Sequence, residues 1–163
     1  MRFEKDIKLI LSNKIVEKAR DCVDKAYPNE SCGLIYGEIK QIKNPKKEDD
    51  YFYHYIAKKF NCLESDKKSP VAFLIDNIDK LGEIFEDYKK YHMNIVSIFH
   101  SHPGNSNFPS GVDKKNMERL VNFRFKHFKG VIWSIMASES SDLKAFMLFE
   151  GDIIQVDVII DDI

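Results

Sequence analysis

The sequence predicts an α/β fold of the α+β type, a sandwich built on one mixed, mostly antiparallel sheet with helices flanking it. Three observations predict it. Apolar residues recur at helical spacing in three separate segments, short β-prone runs lie between and after them, and the turns joining those runs are short enough for antiparallel pairing. At 163 residues and 44% hydrophobic, the chain can bury one core and is too short for two, so a single domain over residues 1–163 is expected.

Ile15, Ala19, Cys22, Val23 and Ala26 place one apolar face along residues 13–27, with Ser12 or Asn13 as cap and Pro28-Asn29 as stop. The buried-looking strand Gly33–Gly37 follows. A charged turn over residues 44–50 leads to the Tyr-rich strand Tyr51–Ile56, a hairpin-like pair with the first. After a polar loop around Glu64–Ser69, Ile78, Leu81, Phe85 and Tyr88 share one face of a second helix from about Asp76 to Tyr91. Residues 94–99 form a nearly continuous apolar run, as expected for an interior strand covered on both faces. Asp113 opens a third helix carrying Met117, Leu120 and Val121. Three β-like runs close the chain, Gly130–Ala137, Leu143–Phe149 and Ile153–Ile160, the last two joined at Glu150-Gly151-Asp152.

Lys and Arg number 25 against 26 Asp and Glu, a formal net charge of -1, so no overall field draws the protein to nucleic acid or to an anionic membrane. The N-terminal stretch carries charges on both sides of a short apolar patch and no cleavage site, and no segment approaches membrane-spanning length. A soluble, cytoplasmic protein is expected. Cys22, Cys32 and Cys62 are odd in number and never spaced as CxxC, which argues against a disulfide framework and a thiolate zinc site and predicts reduced, buried thiols.

The interior strand at 94–99 runs into FHSHPGNSNFPSGVD, residues 99–113. In an extended chain the side-chain period is two, so His100 and His102 project to one side while Ser101 points away. Two neutral imidazoles and a carboxylate are a zinc ligand set, and a catalytic zinc site takes three protein ligands and keeps a fourth position for water. Asp113, returned by a loop rich in Pro, Gly, Asn and Ser, suits the third ligand, and equally suits a helix N-cap. Pro103 and Pro109 stiffen the loop, Ser110 brings a hydroxyl near the ligands, and Glu30 precedes an apolar strand with no obvious packing role. An acidic side chain beside the water position is suited to take a proton and pass it to a leaving amine.

These residues resemble a known family. His100-Ser101-His102-Pro103, Pro109-Ser110 and Asp113 resemble the JAMM motif of the MPN+ metalloproteases, and residues 28–37 resemble the family's glutamate-bearing strand entry. The order of helices and closing strands, with Phe146 and Gly151, is similar over most of the chain, and no motif position departs from the pattern. The resemblance implies a single MPN-like domain, one zinc held by His100, His102 and Asp113, Glu30 as general base and proton shuttle, and Ser110 as a stabiliser of the oxyanion. It implies a ubiquitin-like or sulfur-carrier protein as substrate. The long insertion after Asp113 by which eukaryotic deubiquitinating members hold the distal ubiquitin is missing, so the chain looks like a compact, prokaryote-like member. The alternative is a non-catalytic MPN module that binds partners and keeps zinc for stability, although such a module has no chemical need for Glu30.

His54, His92 and His127 read as packed or surface residues, and Trp133 as core. Lys114-Lys115 borders the candidate site and suits an acidic substrate. Neither the oligomeric state nor the choice between removing a modifier from a lysine and trimming a carrier's tail follows from the sequence.

Overall fold

The computed structural model describes residues 6–63, 83, 86, 90, 92–122 and 130–162. Among these residues seven strands and two helices run in the order β1 (Ile7–Leu11), α1 (Asn13–Ala26), β2 (Cys32–Lys43), β3 (Tyr51–Leu63), β4 (Asn94–His102), α2 (Gly111–Asn122), β5 (Ile132–Ala137), β6 (Leu143–Phe149) and β7 (Asp152–Ile160). The helix expected from Asp76 to Tyr91 falls almost wholly outside the described residues, as does His127.

Around the sheet the strands follow β1-β3-β2-β4-β5-β6-β7, and β7 returns to β1 to close a barrel. Pairings β2/β3, β2/β4, β5/β6 and β6/β7 are antiparallel, whereas β1/β3, β1/β7 and β4/β5 are parallel. The mixed, mostly antiparallel sheet is therefore as expected. Its closure is a finding, and it depends on β1, which in the sequence is only a short apolar patch. Leu9 lies opposite both Tyr55 of β3 and Val158 of β7, so this five-residue strand joins the two ends of the sheet.

α1 forms because its buried residues Ile15, Ala19, Cys22 and Val23 recur on one face, and because the Ser12 Oγ accepts the Ile15 amide at 3.2 Å as an N-cap. That face packs on Leu9, Leu11, Ile35, Phe60 and Phe99. α2 covers a second apolar cluster, in which Met117 and Leu120 meet Leu34, Tyr36, Ile98, Trp133, Ile135 and Phe146. β2 and β4 lie between the two, which explains why β4 is buried from Ile95 to Ser101 and reads as a continuous apolar run. At about 1.5–3 kcal/mol for each fully buried large apolar side chain, these two layers dominate the stabilisation of the sheet.

β2 runs beyond the expected strand through Lys43, where its exposed residues pair with Tyr51–Ile56 at the turn end of a long hairpin, and β3 runs beyond it through Leu63, where Ala57–Leu63 pairs with the buried half of β2. At the irregularity between Tyr36 and Gly37 the chains approach so closely that a Cβ on Gly37 would run into the Ile56 carbonyl oxygen. The turn between β6 and β7 puts Glu150 and Gly151 at φ 48° and 85°, the two left-handed residues of a tight hairpin loop.

The cysteines depart from expectation. Cys32 is a free, buried thiol as predicted, but Cys22 and Cys62 are joined in a disulfide with their Cα atoms 5.7 Å apart. The partners are 40 residues apart in sequence, and they meet only because the buried face of α1 lies against β3. No spacing motif could signal that.

Candidate active site

The strand β4 delivers the two histidines. His100 and His102 occupy its last residues, paired in parallel with Ile135 and Ala137 of β5, with ring centroids 5.1 Å apart. Asp113 arrives from the other direction, on the first turn of α2. His102 Nε2 lies 2.9 Å from Asp113 Oδ2, and His100 Nε2 lies 3.2 Å from Asp113 Oδ1. One ligand atom from each of the three residues falls within 4.8 Å of the others, the one such cluster among the described residues.

Asp113 is placed by more than the histidines. Ser110 N donates to Asp113 Oδ2 at 2.7 Å and Asp113 N donates to Ser110 Oγ at 3.1 Å, a reciprocal cap over the N-terminus of α2. Ser110 is thus the N-cap, and Asp113 is the acidic residue three positions on. Burial pushes the Asp113 carboxyl up, but the His100 and His102 rings and the Ser110 amide outweigh it and hold the group well below the usual carboxylate range. The hydrogen bond with Asp113 raises His102 above the ordinary imidazole value against the opposing effect of burial, with the charges of Asp113 and Glu30 and the backbone of Ser106 adding to it.

The loop from Pro103 to Pro109 is ordered by the turn between β5 and β6. Ser138 N donates to the His102 carbonyl and Glu139 N to the Gly104 carbonyl, both at 3.0 Å, and Gly104 N donates to Ser138 Oγ at 3.0 Å. Asn107, nearly fully buried, donates from Nδ2 to Asp142 Oδ2 at 2.9 Å. The Phe108 and Phe146 ring centroids are 6.0 Å apart, and the Lys144 ammonium lies 4.1 Å from the Phe108 centroid. Proline stiffness, the feature visible in the sequence, is therefore only part of what fixes this loop.

Glu30 lies in the connection between α1 and β2, half-buried and two residues before Cys32, which pairs with His100 across the sheet. Burial raises its carboxyl above the ordinary value, His100 and His102 oppose the shift and Asp113 adds to it, so the carboxyl feels the charges of all three residues. The structure thus brings Glu30, His100, His102, Ser110 and Asp113 to one end of β4. His54 stands apart on β3, His92 is exposed, and Trp133 is core, its ring centroid 6.3 Å from that of His100 in an edge-to-face arrangement. Lys114 and Lys115 are exposed on the first turns of α2. Cys32 is excluded as a nucleophile because burial pushes its thiol up to about 12.

The donor set fits a metal. His100 is completely buried; its Nε2 faces Asp113 Oδ1 at 3.2 Å without good hydrogen-bond geometry, and its Nδ1 has no partner among the described residues. Leaving such a group unpaired costs roughly 1–3 kcal/mol. Two imidazoles and a carboxylate suit zinc, and metal–ligand distances of about 2.1 Å place tetrahedral neighbours about 3.4 Å apart. With one ligand atom from each residue inside 4.8 Å, the three side chains converge toward that spacing.

With this fold and this site, the chain belongs to the JAMM/MPN family. The profile of Prok-JAB, the prokaryotic homologs of the JAB domain, matches residues 12–148. Among individual proteins, the chain is similar to a desampylase from Pyrococcus furiosus, with 28% identity over 121 residues, covering 74% of this chain and 68% of that protein. Its fold is similar to that of a Desulfitobacterium hafniense protein solved in solution, with a TM-score of 0.66 and 22% identity over 95% of this chain and 94% of that one. It is also similar to a JAB1/MPN domain protein from Archaeoglobus fulgidus, with a TM-score of 0.51 and 16% identity over 93% of this chain and 98% of the other. Among the described residues no helix is long and apolar enough to cross a membrane.

Proposed function

We propose that this protein, as a single JAMM/MPN+ domain, is a zinc-dependent peptidase or isopeptidase. On this reading it hydrolyses an amide at the C-terminal tail of a ubiquitin-like or sulfur-carrier protein. The observation that carries the reading is the convergence of His100, His102 and Asp113 within 4.8 Å, with the Glu30 carboxyl in their field. The similarity to a desampylase supports a substrate of the ubiquitin-like class.

His100, His102 and Asp113 would hold the zinc, which when bound supplies Lewis-acid polarisation of the scissile carbonyl and of the attacking water. Glu30 takes a proton from that water and delivers it to the amine nitrogen as the carbon–nitrogen bond breaks, leaving a carboxylate and a free amine. Its half-buried place beside the cluster suits a group that must take up a proton and then give it back. Ser110 Oγ accepts the Asp113 amide, which leaves its own proton to donate to the carbonyl oxygen as negative charge develops there. The Ser110 side chain is exposed, as a group that meets substrate must be.

The test incubates the zinc-loaded protein with ubiquitin-like and sulfur-carrier fusions, and with lysine-linked conjugates, and follows intact mass. Cleavage at the tail that stops on chelation is expected, and the product masses separate isopeptide cleavage from trimming. Absence of cleavage in every substrate would overturn the reading.

A further inference from the structure

We propose that Ser101 is a positioning residue for Glu30, acting through Ser31. This rests on the reading of Glu30 as general base. Ser101 stands between the two histidines in β4, and strand alternation turns its hydroxyl away from them. There it is buried at 1% exposure, against Ser31 at 3%.

Three hydrogen bonds join the pair. Ser101 Oγ accepts from Ser31 N at 2.9 Å and from the Ser31 hydroxyl at 2.9 Å, and Ser101 N donates to the Ser31 carbonyl at 3.2 Å. The regular β2/β4 register ends at Cys32 opposite His100. One residue further, these contacts replace the ladder just before the chain turns away to Glu30. Only one peptide separates Glu30 from a residue locked to the strand that carries both histidines. From the other side, Cys22 Sγ lies 3.6 Å from the Cys32 carbonyl oxygen. That is a packing contact, because a disulfide sulfur has no proton to donate.

Such a clamp is what a proton shuttle beside a metal cluster needs. The carboxylate must reach the attacking water without entering the ligand set, and a misplacement of about 1 Å can cost about a hundredfold in rate. Ser101 fixes the distance between Glu30 and the histidines because one backbone segment carries the clamp and both ligands.

The test has an arm that does not depend on catalysis. In the zinc-free protein, exchange of the Ser31 amide hydrogen should be slow, and should accelerate at least about tenfold in Ser101→Ala. In the zinc-loaded protein, Ser101→Ala should keep its zinc and hold KM within about twofold, while kcat falls about 10- to 100-fold. Ser101→Thr, which restores the hydroxyl, should recover most of the loss. In a Glu30→Gln background, Ser101→Ala should add little further loss, since the group it positions is already disabled.

Should Ser101→Ala fail to fold, Ser31→Ala removes the hydroxyl–hydroxyl bond alone and is read by kinetics, with kcat falling at retained zinc and near-constant KM and little further loss in a Glu30→Gln background. Unchanged Ser31 exchange overturns the clamp, and full additivity with Glu30→Gln overturns its action through Glu30. If the wild-type protein cleaves nothing, the reading of Glu30 fails and the positioning role falls with it. The exchange arm then still reports whether the Ser31–Ser101 contact itself exists.

Discussion

Ser110 and Asp113 cap one another at the N-terminus of α2, each donating its backbone amide to the other's side chain. The two residues assigned to chemistry therefore also hold the helix end, and a single substitution at either changes two things at once. The roles of Ser110 separate by choice of replacement. Ser110→Ala should lose about 1 kcal/mol of stability, whereas Ser110→Gly should lose only a few tenths, because glycine is tolerated at an N-cap. On the proposed mechanism both remove the donor to the oxyanion, so both should lower kcat by ~100- to 1000-fold with little change in KM. Thermal melts and steady-state kinetics on the two variants check this, and near-wild-type kcat in Ser110→Gly would remove Ser110 from the mechanism.

Metal content follows from the cluster at the end of β4. The protein should bind about one zinc per chain, and His100→Ala, His102→Ala and Asp113→Ala should each lose much of it. Elemental analysis of the four proteins after dialysis decides the point. Zinc retained in all three variants contradicts the ligand assignment.

Cys32 should be chemically silent. With its thiol pushed up to about 12 by burial, its thiolate is on the order of one part in ten thousand at pH 8. Iodoacetamide should leave the native protein unlabelled at Cys32 over hours, and Cys32→Ala should retain most activity. Rapid labelling of the folded protein would contradict a buried, unreactive thiol.

The pairing of Cys22 with Cys62 closes a loop of 40 residues, which by the chain-entropy account stabilises the fold on the order of 3–4 kcal/mol. Urea unfolding of Cys62→Ser, or of the wild-type protein under reductant, should register a loss of that order. Alkylation of the unreduced, unfolded chain should label one cysteine, and three labels would contradict the pairing.

What the sequence made legible is what short-range patterning encodes. The face of α1 follows from spacing alone, and so does the placement of His100 and His102 on one side of a strand buried on both faces. Barrel closure was not legible, because Ile7–Leu11 is too short to declare itself a strand and both its partners are parallel and distant. The disulfide was hidden for the same reason, its partners meeting only in the packed structure. Ser101 left one clue: its hydroxyl points into the interior, and a buried hydroxyl requires a partner. That partner, Ser31, lies 70 residues away.

The most direct measurement of the central claim is the paired determination of zinc content and cleavage rate in Glu30→Gln. The amide keeps the size of the carboxylate and much of its hydrogen bonding but accepts no proton. Zinc binding and folding should therefore survive, while cleavage of a ubiquitin-like or sulfur-carrier fusion should fall by at least about a hundredfold. Cleavage at the wild-type rate would contradict the account outright, and loss of zinc together with activity would place Glu30 among the ligands instead of beside the water.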